Sequence, residues 1–201
     1  KMRKNPSTHL HSPAARPLRV LVIVGLEHAH GRGILEGIAD YNDHHARWQH
    51  QMEVEIRPEP ILQGGVDGMI VEVRSLAIAD ALSHAAVPAI TVAHIPYAGG
   101  PPAVVVDNRA VGRMGAQYLA DLGLKHLAYV PELGGAFSRD RHEGFAAAAA
   151  ARHLTCVAFP DALVQDEAAL AAWLSTLPDP VGILACNDRK ALRVSRACRL
   201  A

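Results

Sequence analysis

The sequence predicts an α/β fold, a doubly wound arrangement of parallel strands and covering helices. Three observations predict it. Continuous β-branched apolar runs, LRVLVIV at 18–24 and VGILAC at 181–186, suit strands buried on both faces, as parallel sheets require. Segments of helical period follow such runs. The strand–helix alternation then repeats along the chain, which calls for right-handed crossovers.

Taken in order, the strand at 18–24 leads to a helix over 33–46, where Ile34, Leu35, Ile38 and Tyr41 share a stripe. Strands are expected at 53–57, 67–73 (DGMIVEV), 88–93 (PAITVA) and 103–106 (AVVV), with a helix over 75–86. Residues 108–122 form the clearest helix. Val111, Met114, Gly115, Tyr118, Leu119 and Leu122 recur at its period, Asp107 or Asn108 can cap its start, and Gly123 suits the left-handed position after its end. Strands at 125–130, 154–159 and 181–186 alternate with helices at 139–152, 166–177 and 188–200. Leu170, Trp173, Leu174 and Leu177 form the inner face of the 166–177 helix, which Pro178 ends. The organisation expected is a disordered, proline-containing leader (1–17), a first subdomain (18–124) and an incomplete second subdomain (125–201). Three strands make a poor closed layer, so the second sheet is expected to need strands beyond these residues.

Composition narrows function. Half the 201 residues are apolar, and 20 Lys+Arg balance 20 Asp+Glu. Zero net charge and few aromatics leave no electrostatic footprint or stacking platform for nucleic acid in these residues. No apolar run approaches membrane-spanning length, and the leader lacks the apolar core of a secretory signal, so a cytoplasmic protein with no membrane partner is expected. Cys156, Cys186 and Cys198 are odd in number and widely spaced, which argues for buried free thiols rather than a disulfide framework or a zinc site.

Several catalytic patterns fail on spacing. Gly31-x-Gly33-x-x-x-Gly37 does not directly follow the first strand, as a dinucleotide loop must, and no cofactor is expected. Gly33 and Gly37 instead suit close packing of the first helix on its sheet. His28 with His30, and His44 with His45, lack accompanying ligands, so no metal is expected. Ser138 is not in a nucleophile elbow, and no acid–base pair stands out, so an enzyme is not expected. Polar groups do gather where strands end and helices begin, which is where open α/β sheets bind ligands.

Three of those strand ends form an ordered pattern: V-x-x-D-N-x-x-x-G at 104–112, S-x-x-R-x-x-G-F at 138–145 and A-x-N-D at 185–188. Together they resemble the sensor domain of LacI/GalR-type regulators, which share the two-subdomain type I periplasmic-binding-protein fold. The segments GRGILEGIADY (31–41), FSRDRHEGF (137–145) and LPDPVGILACNDRKA (177–191) resemble most the xylose-operon-regulator branch, whose members carry an AraC-type DNA-binding domain after the sensor. The resemblance spans about Arg19 to Leu200.

It implies a sugar effector, with a pentose such as xylose favoured, held between two subdomains. It implies DNA binding through a C-terminal domain absent from these residues, and a homodimer in the full protein. Arg141 would donate to sugar hydroxyls, with Asn187 and Asp188 at the next strand end. Asp188 is equally suited to capping its helix. Phe137 would wall the ring, and Glu27, His30 and Arg32 would come from the loop after the first strand. The alternative is a sugar-binding receptor of an ABC transporter, which shares the fold.

Overall fold

The run RVLVI pairs on both sides in the computed structural model, which describes residues 16–27, 29–45, 47–92 and 100–199. Most of the expected leader (1–15), His28, and the last residue of the strand expected at 88–93 lie outside these residues. Arg16, placed in that leader, forks onto Asp67 at 2.7 and 2.9 Å. Contacts group the described chain into two units. One runs to Val92 and takes in Gly100–Ala103, and the other begins at Val104.

In the first unit, β1 (Arg19–Ile23) is followed by α1 (Ala29–His45), β2 (Gln49–Glu53), α2 (Glu59–Gln63), β3 (Gly68–Val71), α3 (Leu76–Ser83) and β4 (Ala89–Thr91). Among the described residues these strands form one parallel sheet in the order β2-β1-β3-β4. Val20, Val22 and Val24 face Ile34, Leu35 and Ile38 of α1, while Leu21 and Ile23 are buried on the alternate positions. The strand expected at 53–57 lies instead at 49–53. Its sequence QHQME is polar, but an edge strand needs only a backbone partner, and β1 supplies one from Arg19↔Gln49 onward. The strand expected at 103–106 shrinks to a single bridge between Thr91 and Ala103, and Val104, Val105 and Val106 are exposed.

The glycines of α1 are also used differently from expectation. A Cβ at Gly33 or Gly37 would meet nothing, whereas one at Gly31 would run into the Gly25 carbonyl. Gly31 is therefore the close contact, and it lies inside the helix rather than in a phosphate-cradling loop.

In the second unit, α4 (Asn108–Asp121) precedes β5 (His126–Val130), α5 (Ala136–Ala151), β6 (Thr155–Ala158), α6 (Glu167–Leu174), β7 (Val181–Ala185) and α7 (Asp188–Ala197). The described strands form a parallel sheet in the order β6-β5-β7. One core cluster joins Ala116, Leu127, Tyr129, Phe145, Ala149 and Cys186, and another joins Val130, Phe159, Leu170, Leu174, Val194 and Ala197. Helix α4 packs along α5 and against β7, so it groups with this unit. The boundary between the units thus falls at 103–104, ahead of the expected 124.

The inner face of α4 also departs from expectation. Met114, Tyr118 and Leu122 are exposed, and the buried positions are Gly112 and Ala116. The cause is the approach of α5. A Cβ on Gly112 would strike the Arg141 carbonyl, and one on Gly144 would strike that of Arg109. Small residues on both helices let the backbones meet, and the bulky stripe is turned outward. The caps follow the sequence more closely: Asp107 accepts from the Ala110 N–H at 2.9 Å, and Gly123 has φ 86°. Of the cysteines expected to be buried, Cys186 is buried, Cys156 is partly so and Cys198 is exposed.

Candidate functional site

The C-terminal ends of the second unit's strands gather its polar side chains. Arg141 lies in the second turn of α5. Its Nε donates to Asn108 Oδ1 at 2.9 Å, and its Nη1 donates to the Cys186 carbonyl at 2.5 Å. Its guanidinium carbon sits 5.4 Å from the centre of the Phe137 ring. Three elements therefore hold one cation: the start of α4, the end of β7, and α5 itself. A guanidinium has five N–H donors in a rigid plane, so two anchoring bonds orient the remaining ones.

Asn187 follows Cys186 directly. Its Oδ1 caps α7 by accepting from the Lys190 N–H at 3.0 Å, and its Nδ2 donates to Glu132 Oε2 at 3.2 Å. The cap of α7 is thus Asn187 and not Asp188. Asp188 is exposed at the first helical position, and among the described residues its side chain makes no hydrogen bond or ion pair. Glu132 is the hub of this strand end. It also takes Arg189 Nη2 at 3.1 Å and the buried Lys190 Nζ at 3.2 Å. Burial alone would raise the Glu132 carboxyl, but the donors from Asn187, Arg189 and Lys190 outweigh it and bring its pKa below the ordinary value.

Beneath this rim, the fully buried Tyr129 donates to the Ser138 carbonyl at 2.8 Å, and the Ser138 hydroxyl accepts from the Glu132 N–H at 2.9 Å. Burial pushes the Tyr129 phenol well above its usual range, so it stays a neutral donor. The His142 ring stacks on Tyr129 at 5.0 Å. A cavity of about 400 Å³ opens here, lined by Tyr129, Glu132, Ser138, Arg139, His142 and Asp161 among others. Hydroxyl, carboxylate, imidazole and guanidinium groups around one space suit a small, polar, hydrogen-bonding ligand.

In the first unit the structure separates residues that the sequence placed in one loop. Glu27 is in the loop after β1, but His30 and Arg32 lie in the first turns of α1, both exposed. Arg32 Nη1 donates to the Leu26 carbonyl at 2.9 Å. Glu27 pairs with Arg74, which also donates from Nε to Glu72 Oε1 at 2.7 Å. Glu72 is 1% exposed and accepts from the Gly25 N–H at 2.9 Å. Burial pushes its carboxyl up, against the pull of the Gly25 N–H, and burial lowers Arg74.

Glu132, Glu72 and Arg74 escaped the sequence reading, and Asn108 was named only as a possible cap and within the strand-end pattern. Asn108 had a signal, because Asp107 alone suffices as the cap and leaves its neighbour available. Glu72 had one too, as a carboxylate inside the apolar run DGMIVEV. Glu132 had none, since its partners come from a distant helix.

Among the described residues, no group of three or more metal-ligating side chains is present, and no helix is long and apolar enough to cross a membrane. Residues 116–201 match the family profile of the periplasmic binding protein-like domain. The chain is 23% identical over 202 residues to the xylose operon regulatory protein of Haemophilus influenzae, covering 90% of this chain and 51% of that protein. It spans about half the length of the curated relatives it matches. A solved xylose-binding transcription activator superposes with a TM-score of 0.76 at 22% identity, over 92% of this chain and 50% of that one. A LacI family regulator from Mycobacterium smegmatis superposes with a TM-score of 0.68 at 19% identity, over 91% and 73%. These proteins are named as regulators or binding proteins, not enzymes. The chain therefore has a periplasmic-binding-protein-like fold.

Proposed function

We propose that this chain is the effector-sensing domain of a transcription regulator, and that its effector is a sugar, with a pentose such as xylose favoured. The observation that carries the reading is Arg141, fixed by Asn108 and the Cys186 carbonyl over the Phe137 ring at the C-terminal ends of the second unit's strands. An oriented guanidinium beside an aromatic face matches a sugar, which offers adjacent hydroxyls on an apolar ring. The relatives named for xylose regulation support the same class of ligand. DNA contact, through an AraC-type domain elsewhere in the protein, and assembly as a homodimer belong to this proposal. Effector binding would act by favouring one of two conformations, through its different affinity for each.

Calorimetric titration of pentoses and hexoses into the full-length protein tests the proposal. The wild-type protein is expected to bind a pentose, and Arg141→Ala is expected to weaken that binding roughly 10- to 100-fold, the worth of a charge-assisted hydrogen bond. Wild-type affinity in the variant would remove Arg141 from the site. Absence of binding to every sugar would remove the sugar reading.

A further inference from the structure

We propose that the outer edge of β2 is the surface through which two copies of this chain associate, running antiparallel about a two-fold axis at Gln51; this rests on the homodimer of the reading above and not on the identity of its effector. Among the described residues β2 closes one side of its sheet, and it pairs with β1 without a break from Gln49 to Glu53. The Gln49 N–H donates to the Leu18 carbonyl at 2.8 Å, and the Glu53 carbonyl accepts from the Val24 N–H at 3.3 Å. Backbone groups alternate in direction along a strand, so Gln49, Gln51 and Glu53 turn theirs to β1 while His50 and Met52 turn theirs outward. An open edge of this kind is a template for another strand unless a lysine, a proline or a bulge blunts it. QHQME contains none of these, and Met52 and Val54 are 44% and 57% exposed beside it.

The edge is complementary to itself. With the axis at Gln51, His50 lies opposite Met52 of the second copy, and their outward N–H and C=O groups exchange hydrogen bonds in both directions. Trp48, which packs on the Val20, Val22 and Val24 cluster, comes opposite Val54. Gln49 comes opposite Glu53, and the exposed Arg47 comes opposite Glu55, whose contact with Arg57 at 3.8 Å is itself exposed. A cation at one end and carboxylates at the other thus match when the strand is turned end for end, and like charges meet when it is laid parallel. Its neighbours set the register. An axis at His50 would call on the Trp48 backbone, whose N–H already donates to Asn42 Oδ1 at 2.7 Å. An axis at Met52 would put Arg47 opposite Arg57. Any foreign strand would find the same open backbone, but the match of charge and apolar side chains is to this strand's own sequence.

The test follows self-association of the full-length protein by sedimentation velocity over a dilution series. Arg47→Glu and Glu55→Arg are each expected to raise the dimer Kd about tenfold, since each change acts twice across the axis. The double variant recovers the wild-type value, because the swapped charges face each other again, a rescue that general loss of stability would not produce. Met52→Pro removes an outward N–H that β1 does not use, and raises Kd by at least about tenfold. Gln51→Cys, mildly oxidised, gives covalent dimers joined at position 51 of both copies, read by mass spectrometry of the unreduced peptides, because a residue on the axis faces itself. Arg47 and Glu55 are exposed, so their variants report on association even if Met52→Pro impairs folding. Wild-type Kd in all the single variants, a double variant that does not recover, or cross-links that join position 51 only to other sites overturns this inference and leaves a homodimer through another surface. A full-length protein that stays monomeric throughout overturns both the inference and the homodimer, while sugar binding is read separately by calorimetry.

Discussion

Gly112→Ala is expected to destabilise the second unit by about 2 kcal/mol, even though alanine favours a helix by up to about 1 kcal/mol over glycine. The added Cβ would lie 2.8 Å from the Phe145 nitrogen and closer still to the Arg141 carbonyl oxygen. These are backbone atoms of α5 and cannot rotate away, so the two helices must part. A chain of this length loses roughly 2–4 °C in Tm per kcal/mol, so the drop should be about 4–8 °C by calorimetry. Gly33→Ala is the matched control. Its Cβ meets nothing, and it is expected to stabilise by about 0.5–1 kcal/mol. Equal stability of Gly112→Ala and wild type would contradict the close crossing. The same crossing carries Arg141, so a shifted α5 also pulls its guanidinium away from Asn108 and the Cys186 carbonyl.

Glu132→Ala is expected to cost about 3 kcal/mol, because it leaves the Lys190 ammonium, 3% exposed, without its counter-charge. Urea denaturation measures the loss. Glu132→Gln keeps the shape and part of the hydrogen bonding, so it should fall between the alanine variant and wild type. The pH dependence has a definite sign. The folded-state pKa of Glu132 is lowered, so its stabilisation is complete above the unfolded carboxyl value of about 4.3. It is lost as pH falls through the lower, folded value. Wild-type Tm should therefore drop more steeply below about pH 5 than that of Glu132→Gln. Glu72 is shifted the other way, so its contribution declines as pH rises through its folded value, and it is common to both proteins. Parallel Tm–pH curves would show that Glu132 carries no such linkage.

The candidate site was legible where one short segment carries the whole signal. F-S-R-D-R-H-E-G-F marks Arg141 and Phe137, which the structure brings together at 5.4 Å. Asn187 was placed at the right strand end, but its side chain is committed to the cap of α7 and to Glu132. Asp188, His30 and Arg32 were legible as polar residues near strand ends and no further. Whether such a residue faces a cavity, a loop carbonyl or solvent depends on the rotation of its helix, which packing sets. Glu132 and Lys190 could not be paired from the sequence, because their contact spans two strand–helix connections.

The order of residues was enough for the βα alternation, the parallel sheets and the caps at Asp107 and Gly123. Each depends on interactions within a few neighbours: the period of apolar side chains, one side-chain bond to a helix N–H, one backbone angle. Tertiary structure decided three things. A polar segment, QHQME, became a strand because β1 offered it an edge. Val104–Val106, apolar enough for a strand, stayed outside the sheet and exposed. Helix α4 turned its bulky stripe outward and joined the second unit, because Gly112 and Gly144 allow a backbone-to-backbone approach that Met114, Tyr118 and Leu122 would prevent. A periodic stripe tells which residues share a face; which face is buried depends on the neighbour's shape, and that neighbour is distant in the chain.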